Sequence, residues 1–248
     1  MRGLLGETIR LLVGHLHLFT LISLTVWLPG HLARNYIEFF EEAAGGAAES
    51  VRLGLMLQFV FDPLIVSATL AALGRIKQGL PVSYRAVMLE GLQAWGRLFT
   101  VRFLVNGALL LPVLGASLLR PGGRGMALAG FGLLLTGVVL MVLLVRFAVV
   151  DSVVVLERLT VATAWRRAAA LTRGQRWAIL GVLLVLVTVV LAPALLAGRL
   201  FHIVPELNHF VVRVLFDCAL AVAQSLFTIA LFLAYWRART AAAPPAAA

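Results

Sequence analysis

Runs of about twenty apolar residues, repeated along the chain, restrict its fold more than any other feature. A bilayer core about 30 Å thick is crossed by roughly 20 residues of α-helix. Lipid offers no hydrogen-bond partners to open backbone, so a spanning segment must satisfy its own. Five segments meet that length: 53–74, 98–119, 126–145, 177–198 and 214–236. A weaker sixth, 16–37, is interrupted by His17, Pro29, His31 and Arg34. Counting it as a span gives the loops on either side consistent sides. Hydrophobic residues make up 62% of the 248 and charged residues only 13%. Soluble domains stand near about 45–50% and about 25%, and no water-soluble core of this size hides such an excess. The expected fold class is all-α: a polytopic membrane helical bundle of about six transmembrane helices in one domain over 1–239. No room is left for a sizeable enzyme domain.

Orientation follows from the basic residues, which favour cytoplasmic loops. With the N-terminus inside, fourteen fall on the cytoplasmic side: Arg2, Arg10, Arg75, Lys77, Arg85, Arg97, Arg102, Arg158, Arg166, Arg167, Arg173, Arg176, Arg237 and Arg239. Six fall outside, namely Arg34, Arg52, Arg120, Arg124, Arg199 and Arg213, while Arg146 ends the fourth span. Glu38, Glu41, Glu42, Glu49 and Glu206 lean outward. Both termini are expected in the cytoplasm, with the chain multi-pass in a plasma membrane, the inner membrane of a bacterium. The net charge of +10 does not point to nucleic acid, because the basic residues lie between apolar runs instead of in one stripe or tail. The start lacks a small-x-small cleavage site, so the first helix reads as uncleaved. Cys218 is the only cysteine, which excludes an intrachain disulfide.

A three-fold pseudo-repeat of about 78 residues is expected over about 1–79, 80–157 and 158–239. Each unit opens with an amphipathic helix and passes an aromatic-polar junction: His17-Leu18-Phe19-Thr20, Arg97-Leu98-Phe99-Thr100 or Arg176-Trp177-Ala178-Ile179. Two spans follow, the first with a late proline at Pro29, Pro112 or Pro193. In the leading helices Leu5, Ile9, Leu12, Leu16 and Phe19 share a face, as do Tyr84, Met88, Leu92 and Trp95, and Val161, Trp165 and Ala168. Such helices suit the inner leaflet, with arginine reaching phosphate; the alternative is a cytoplasmic connector packed on the bundle. Arg85, Arg97, Arg166, Arg167, Arg173 and Arg176 are the expected contacts to anionic lipid headgroups. The alanine- and proline-rich tail 240–248 is expected to be disordered.

Two carboxylates lie inside spans, Asp62 in Phe61-Asp62-Pro63 and Asp217 in Phe216-Asp217-Cys218. A mid-span acid costs about 2.5–3.5 kcal/mol to insert, which makes it a functional candidate. Asp62 reads equally as a transport or proton-handling group and as the structural partner of a facing polar group. For Asp217 the structural reading is favoured. Gln58 and Gln224 complete a candidate polar site, with Asp62 opposite Gln224 in repeat register. These groups either line a polar path or make interhelical hydrogen bonds, the commoner case. His15 and His17 point apart on a helix, and His31, His202 and His209 scatter at the outer surface. No metal site, cofactor motif or nucleophile motif is recognisable.

The stretch Val145-Arg146-Phe147-Ala148 to Glu157, then Ala164-Trp165-Arg166-Arg167-Ala168, Leu171-Thr172-Arg173-Gly174 and Trp177, carries a family resemblance. Arg75-Ile76-Lys77-Gln78-Gly79, Ser83-Tyr84-Arg85 and the closing Tyr235-Trp236-Arg237-Ala238-Arg239 match as well. The sequence resembles the membrane-domain family found fused to bacterial glycerophosphoryl diester phosphodiesterases and also as stand-alone proteins. Ala168 stands where that family usually has serine, and Asp151-Ser152 where proline is common. The resemblance implies a six-span module; phosphodiesterase activity is not implied, since the chain has no His-Arg-Gly tripeptide. The first expectation is thus a non-enzymatic module binding anionic lipid or a membrane partner protein. The second is a small-solute or ion transporter using Asp62 and the even-numbered spans. A membrane-embedded lipid enzyme ranks last.

Overall fold

A computed structural model describes residues 2–40, 46–117, 137 and 141–242. Its elements are helical: α1 Arg2–Gly14, α2 Leu16–Phe40, α3 Gly46–Lys77, α4 Tyr84–Ser117, α5 Val150–Leu156, α6 Val161–Leu171, α7 Arg176–Ile203 and α8 Phe210–Ala242. A 3₁₀ turn, Pro205–Leu207, joins the last two. Four helices are long and apolar enough to cross a membrane: α2, α3 from Leu53 onward, α7 and α8. Of the other two expected spans, 98–119 coincides with α4 as far as Ser117, and 126–145 lies outside the described residues except for 137 and 141–145.

Two helices, α3 and α6, end where the sequence supplies a stop. Arg75 and Lys77 stand in the last turn of α3, where the helix dipole favours cations. Gly79 then adopts φ +68°, and its N–H reaches the carbonyl of Ile76 while that of Leu80 reaches Arg75. This glycine-closed double bond is a Schellman cap. Past α6, Gly174 at φ +86° turns the chain into α7. The tail departs from expectation at its start, because Thr240, Ala241 and Ala242 complete α8; 243–248 lie outside the described residues.

The core centres on α3, which packs against α2, α4, α5 and α8. Leu70, Ala72 and Leu73 are buried there, with Phe19 and Ile22 from α2 and Phe232 and Tyr235 from α8. The closest approach is between α3 and α4: a Cβ on Gly91 would lie 2.8 Å from the Ala68 Cα. Ser67 Oγ donates across this contact to the Gly91 carbonyl at 2.9 Å. The second leading helix therefore differs from expectation. It runs unbroken through Arg97-Leu98-Phe99-Thr100 into the remainder of α4. Its packed face is Val87, Gly91, Ala94, Leu98 and Val101, whereas Leu92 is exposed. The glycine lies at the centre of this face, because the smallest side chain permits the closest helix packing. By contrast α1 and α6 are separate short helices, and α6 buries Ala164, Ala168 and Leu171.

The short helices α1, α5 and α6 gather where α3 and α8 terminate, tied by Glu7 to Lys77 and Arg237 and by Tyr235 to Glu157. We call this the short-helix end. At the opposite end, Glu38 of α2 pairs with Arg213 of α8, and Phe201 meets Phe216 edge to face. The most apolar helix, α7, packs mainly on α8 and leaves Val185, Val189, Leu191, Leu195 and Leu196 exposed, a surface matched to hydrocarbon.

Candidate functional site

The four residues expected to form a polar membrane site fall into two groups. Asp62 sits one residue before the helix-interior Pro63 of α3 and forms an ion pair with Arg102 of α4. The same guanidinium reaches Asp151 of α5 through Nη2 at 2.6 Å. Trp95 Nε1 donates to the Val60 carbonyl at 2.9 Å, beside the turn that Pro63 deprives of a donor. One arginine between two carboxylates is a strong interhelical tie, since charge-assisted bonds are roughly twice the strength of neutral ones. The sequence tally assigned Arg102 to the cytoplasmic charges, yet it falls inside the expected span 98–119. A charge at such a position requires a partner, and that requirement was the available signal.

Gln58, Asp217 and Gln224 meet elsewhere, in the wall of a cleft of about 430 Å³ between α2, α3 and α8; Asp62 is not part of that wall. Asp217 Oδ2 accepts from Asn35 Nδ2 at 2.9 Å and from Arg34 Nη2 at 3.3 Å. His31 Nδ1 lies 3.9 Å from the same oxygen, and the His31 ring stacks on Trp27 at 5.4 Å. His31 is thus part of a polar cluster and not a scattered surface residue. Its link to Asp217 joins positions more than 180 residues apart, beyond any local pattern.

The short-helix end holds the second cleft, about 370 Å³, lined by Arg75, Gln78, Glu90, Gln93, Arg97 and Arg158 among others. Arg75 is already engaged, with Glu90 through Nη1 and with the Pro81 carbonyl through Nε at 2.9 Å. Among the described residues Arg97 makes one long bond, 3.4 Å, to the Arg158 carbonyl. Arg158 adopts φ +53°, a left-handed conformation uncommon for a long side chain and one that concentrates at functional positions. Three guanidiniums against one carboxylate leave the wall with an excess of two positive charges.

The remaining expected lipid contacts divide by environment. Arg85, Arg166, Arg173 and Arg176 are exposed on helices and turns of this end, beside Trp177 at 82% exposure. Arg167 instead pairs with Glu157 at 3.3 Å, and Glu157 also accepts from the Tyr235 hydroxyl at 3.1 Å. Glu7 is held by Lys77 Nζ at 2.6 Å and Arg237 Nη2 at 2.7 Å. The Lys77 hydrogen bond, seconded by Arg237, holds the Glu7 carboxyl below its ordinary value, against the opposing effect of burial. Among the described residues no group of three His, Cys, Asp or Glu side chains is placed to hold a metal ion. No family model, curated protein or solved structure matches the chain.

Proposed function

We propose that this chain is a non-enzymatic, multi-pass membrane module that holds anionic phospholipid headgroups at its short-helix end. The observation that carries this reading is the cleft beneath α5, where Arg97 and Arg158 have no acidic partner among the described residues. Guanidinium forks match phosphate oxygens geometrically, and clusters of basic residues at a cytoplasmic membrane face attract anionic lipid. Exposed Arg85, Arg166, Arg173 and Arg176 extend the same positive surface outward. In this reading the bundle has about six spans with both termini in the cytoplasm of a bacterial cell. The short motifs that resemble the phosphodiesterase-associated membrane-domain family support a membrane module of that kind.

The transporter alternative uses polar residues of the even-numbered spans and, first among them, Asp62. Its ion pair with Arg102, itself tied to Asp151, favours the structural role instead. The test reconstitutes the protein in nanodiscs and measures retention of phosphatidylglycerol against phosphatidylcholine. Arg97→Ala with Arg158→Ala is expected to abolish the preference while the protein remains folded. An unchanged preference in that variant contradicts the proposal. So does proton- or solute-coupled flux in liposomes that Asp62→Asn removes.

A further inference from the structure

The cleft at the opposite end differs in chemistry from the arginine cleft. Its charged groups are already matched, Arg34 with Asp217 and Glu38 with Arg213. A bound ion of either sign would have to compete with one of these pairs. What the wall leaves unused is neutral hydrogen-bonding capacity. Gln58 and Gln224 make no hydrogen bond to protein among the described residues, and His31 Nε2 is buried without a partner. Unpaired amides on membrane-length helices are costly in hydrocarbon unless something polar meets them. Trp27 adds an apolar ring face beside these groups, stacked on His31 with 22° between the planes. Gly30 and Gly54 also line the cleft, where an added Cβ would meet Leu57 Cδ1 at 3.1 Å and Arg34 Cδ at 3.4 Å. A volume of about 430 Å³ lies within the usual range of small-ligand sites.

From these features we infer that the α2–α3–α8 cleft binds a neutral polyhydroxyl group, with Gln58, Gln224 and His31 meeting its hydroxyls and Trp27 its C–H face. The amides supply both donors and acceptors, as does a neutral imidazole, and that mixture suits hydroxyls, which donate and accept in turn. The same chemistry comes from a free sugar or from the headgroup of a glycosyl lipid. This site is separate from the anionic-lipid cleft and does not rest on it.

The experiment uses the full chain in phosphatidylcholine nanodiscs with two probes, glucose in solution and monoglucosyl diacylglycerol doped into the bilayer. Tryptophan fluorescence and the thermal midpoint are read together, with Trp27→Phe assigning the optical signal to the cleft. Saturable binding of either probe is expected, weakened about fivefold or more by Gln58→Leu and again by Gln224→Leu. These substitutions replace an amide by an apolar group of similar size, so the bundle is kept. The Arg97→Ala, Arg158→Ala variant should bind the probe unchanged. Binding of the lipid probe alone identifies a headgroup, and binding of glucose alone a free solute. Absence of saturable binding to both probes, or wild-type affinity in both glutamine variants, overturns the inference. A dimer that Gln58→Leu converts to monomer overturns it too, by giving the cleft to a second copy of the chain.

Discussion

The two ends of the bundle use the same device, ion pairs between helices, and finish with different charge. At the opposite end, the described side chains Arg34, Arg199 and Arg213 are balanced by Glu38, Glu206 and Asp217, three against three. At the short-helix end, Glu7, Glu90 and Glu157 are each bound by at least one cation. Arg85, Arg97, Arg158, Arg166, Arg173 and Arg176 then remain without an acidic partner among the described residues. Pairing alone therefore does not mark a functional surface. In the proposed reading the surplus left after pairing does, and among the described residues it lies at one end only.

The largest effect should come from the tie of Arg102 to Asp62 and Asp151. Arg102→Leu leaves Asp62 and Asp151 uncompensated, and since these side chains are only part-buried the cost falls below the roughly 3–5 kcal/mol of breaking a fully buried ion pair. Thermal unfolding in detergent should show a large drop, partly restored when Asp62→Leu and Asp151→Leu are added. A near-normal midpoint in the single variant would mean that the tie belongs with the functional charges after all. Next in size is Gly91→Val, which puts a side chain against the Ala68 backbone and forces α3 and α4 apart. Overpacking of this kind costs about 1–3 kcal/mol, and the same thermal assay reads it.

The contrast between the ends is sharpened by arginine removal. Each basic residue near an anionic surface contributes about 1 kcal/mol, so Arg97→Ala or Arg158→Ala alone should weaken phosphatidylglycerol binding roughly fivefold. Arg199→Ala, at the balanced end, should leave it within experimental error. Equal losses at the two ends would erase the distinction. The smallest effect concerns Glu7. Its folded pKa lies below the ordinary 4.5, so its contribution is present above that value and is lost as pH falls through the folded pKa. Glu7→Gln should remove this acid-side dependence and lower stability at neutral pH by about 1 kcal/mol or less.

Helix content and four membrane-length helices were legible in the sequence because apolar length and the 3.6-residue period are local properties. Partner choice was not. Arg102 belongs to an apolar run in sequence but to two carboxylates in space, and only the packing of α3, α4 and α5 unites them. On α4 the face packed on α3 centres on Gly91 and leaves Leu92 exposed, because close packing selects the smallest side chain and not the most apolar one. Asp62 and Gln224 share a repeat register yet meet different neighbours, since α4 and α5 flank one and α2 the other. The arginine cleft was visible as composition only. Its geometry depends on Arg158, whose left-handed backbone aims the turn between α5 and α6.

The most direct test of the charge-surplus account is a photo-crosslinking map with a phosphatidylglycerol bearing its reactive group at the headgroup. Adducts are expected on peptides from the α3–α4 turn and from Arg158 to Arg176, and they should disappear in the Arg97→Ala, Arg158→Ala variant. Adducts concentrated on the C-terminal turns of α2 and the start of α8, unaffected by that variant, would contradict it.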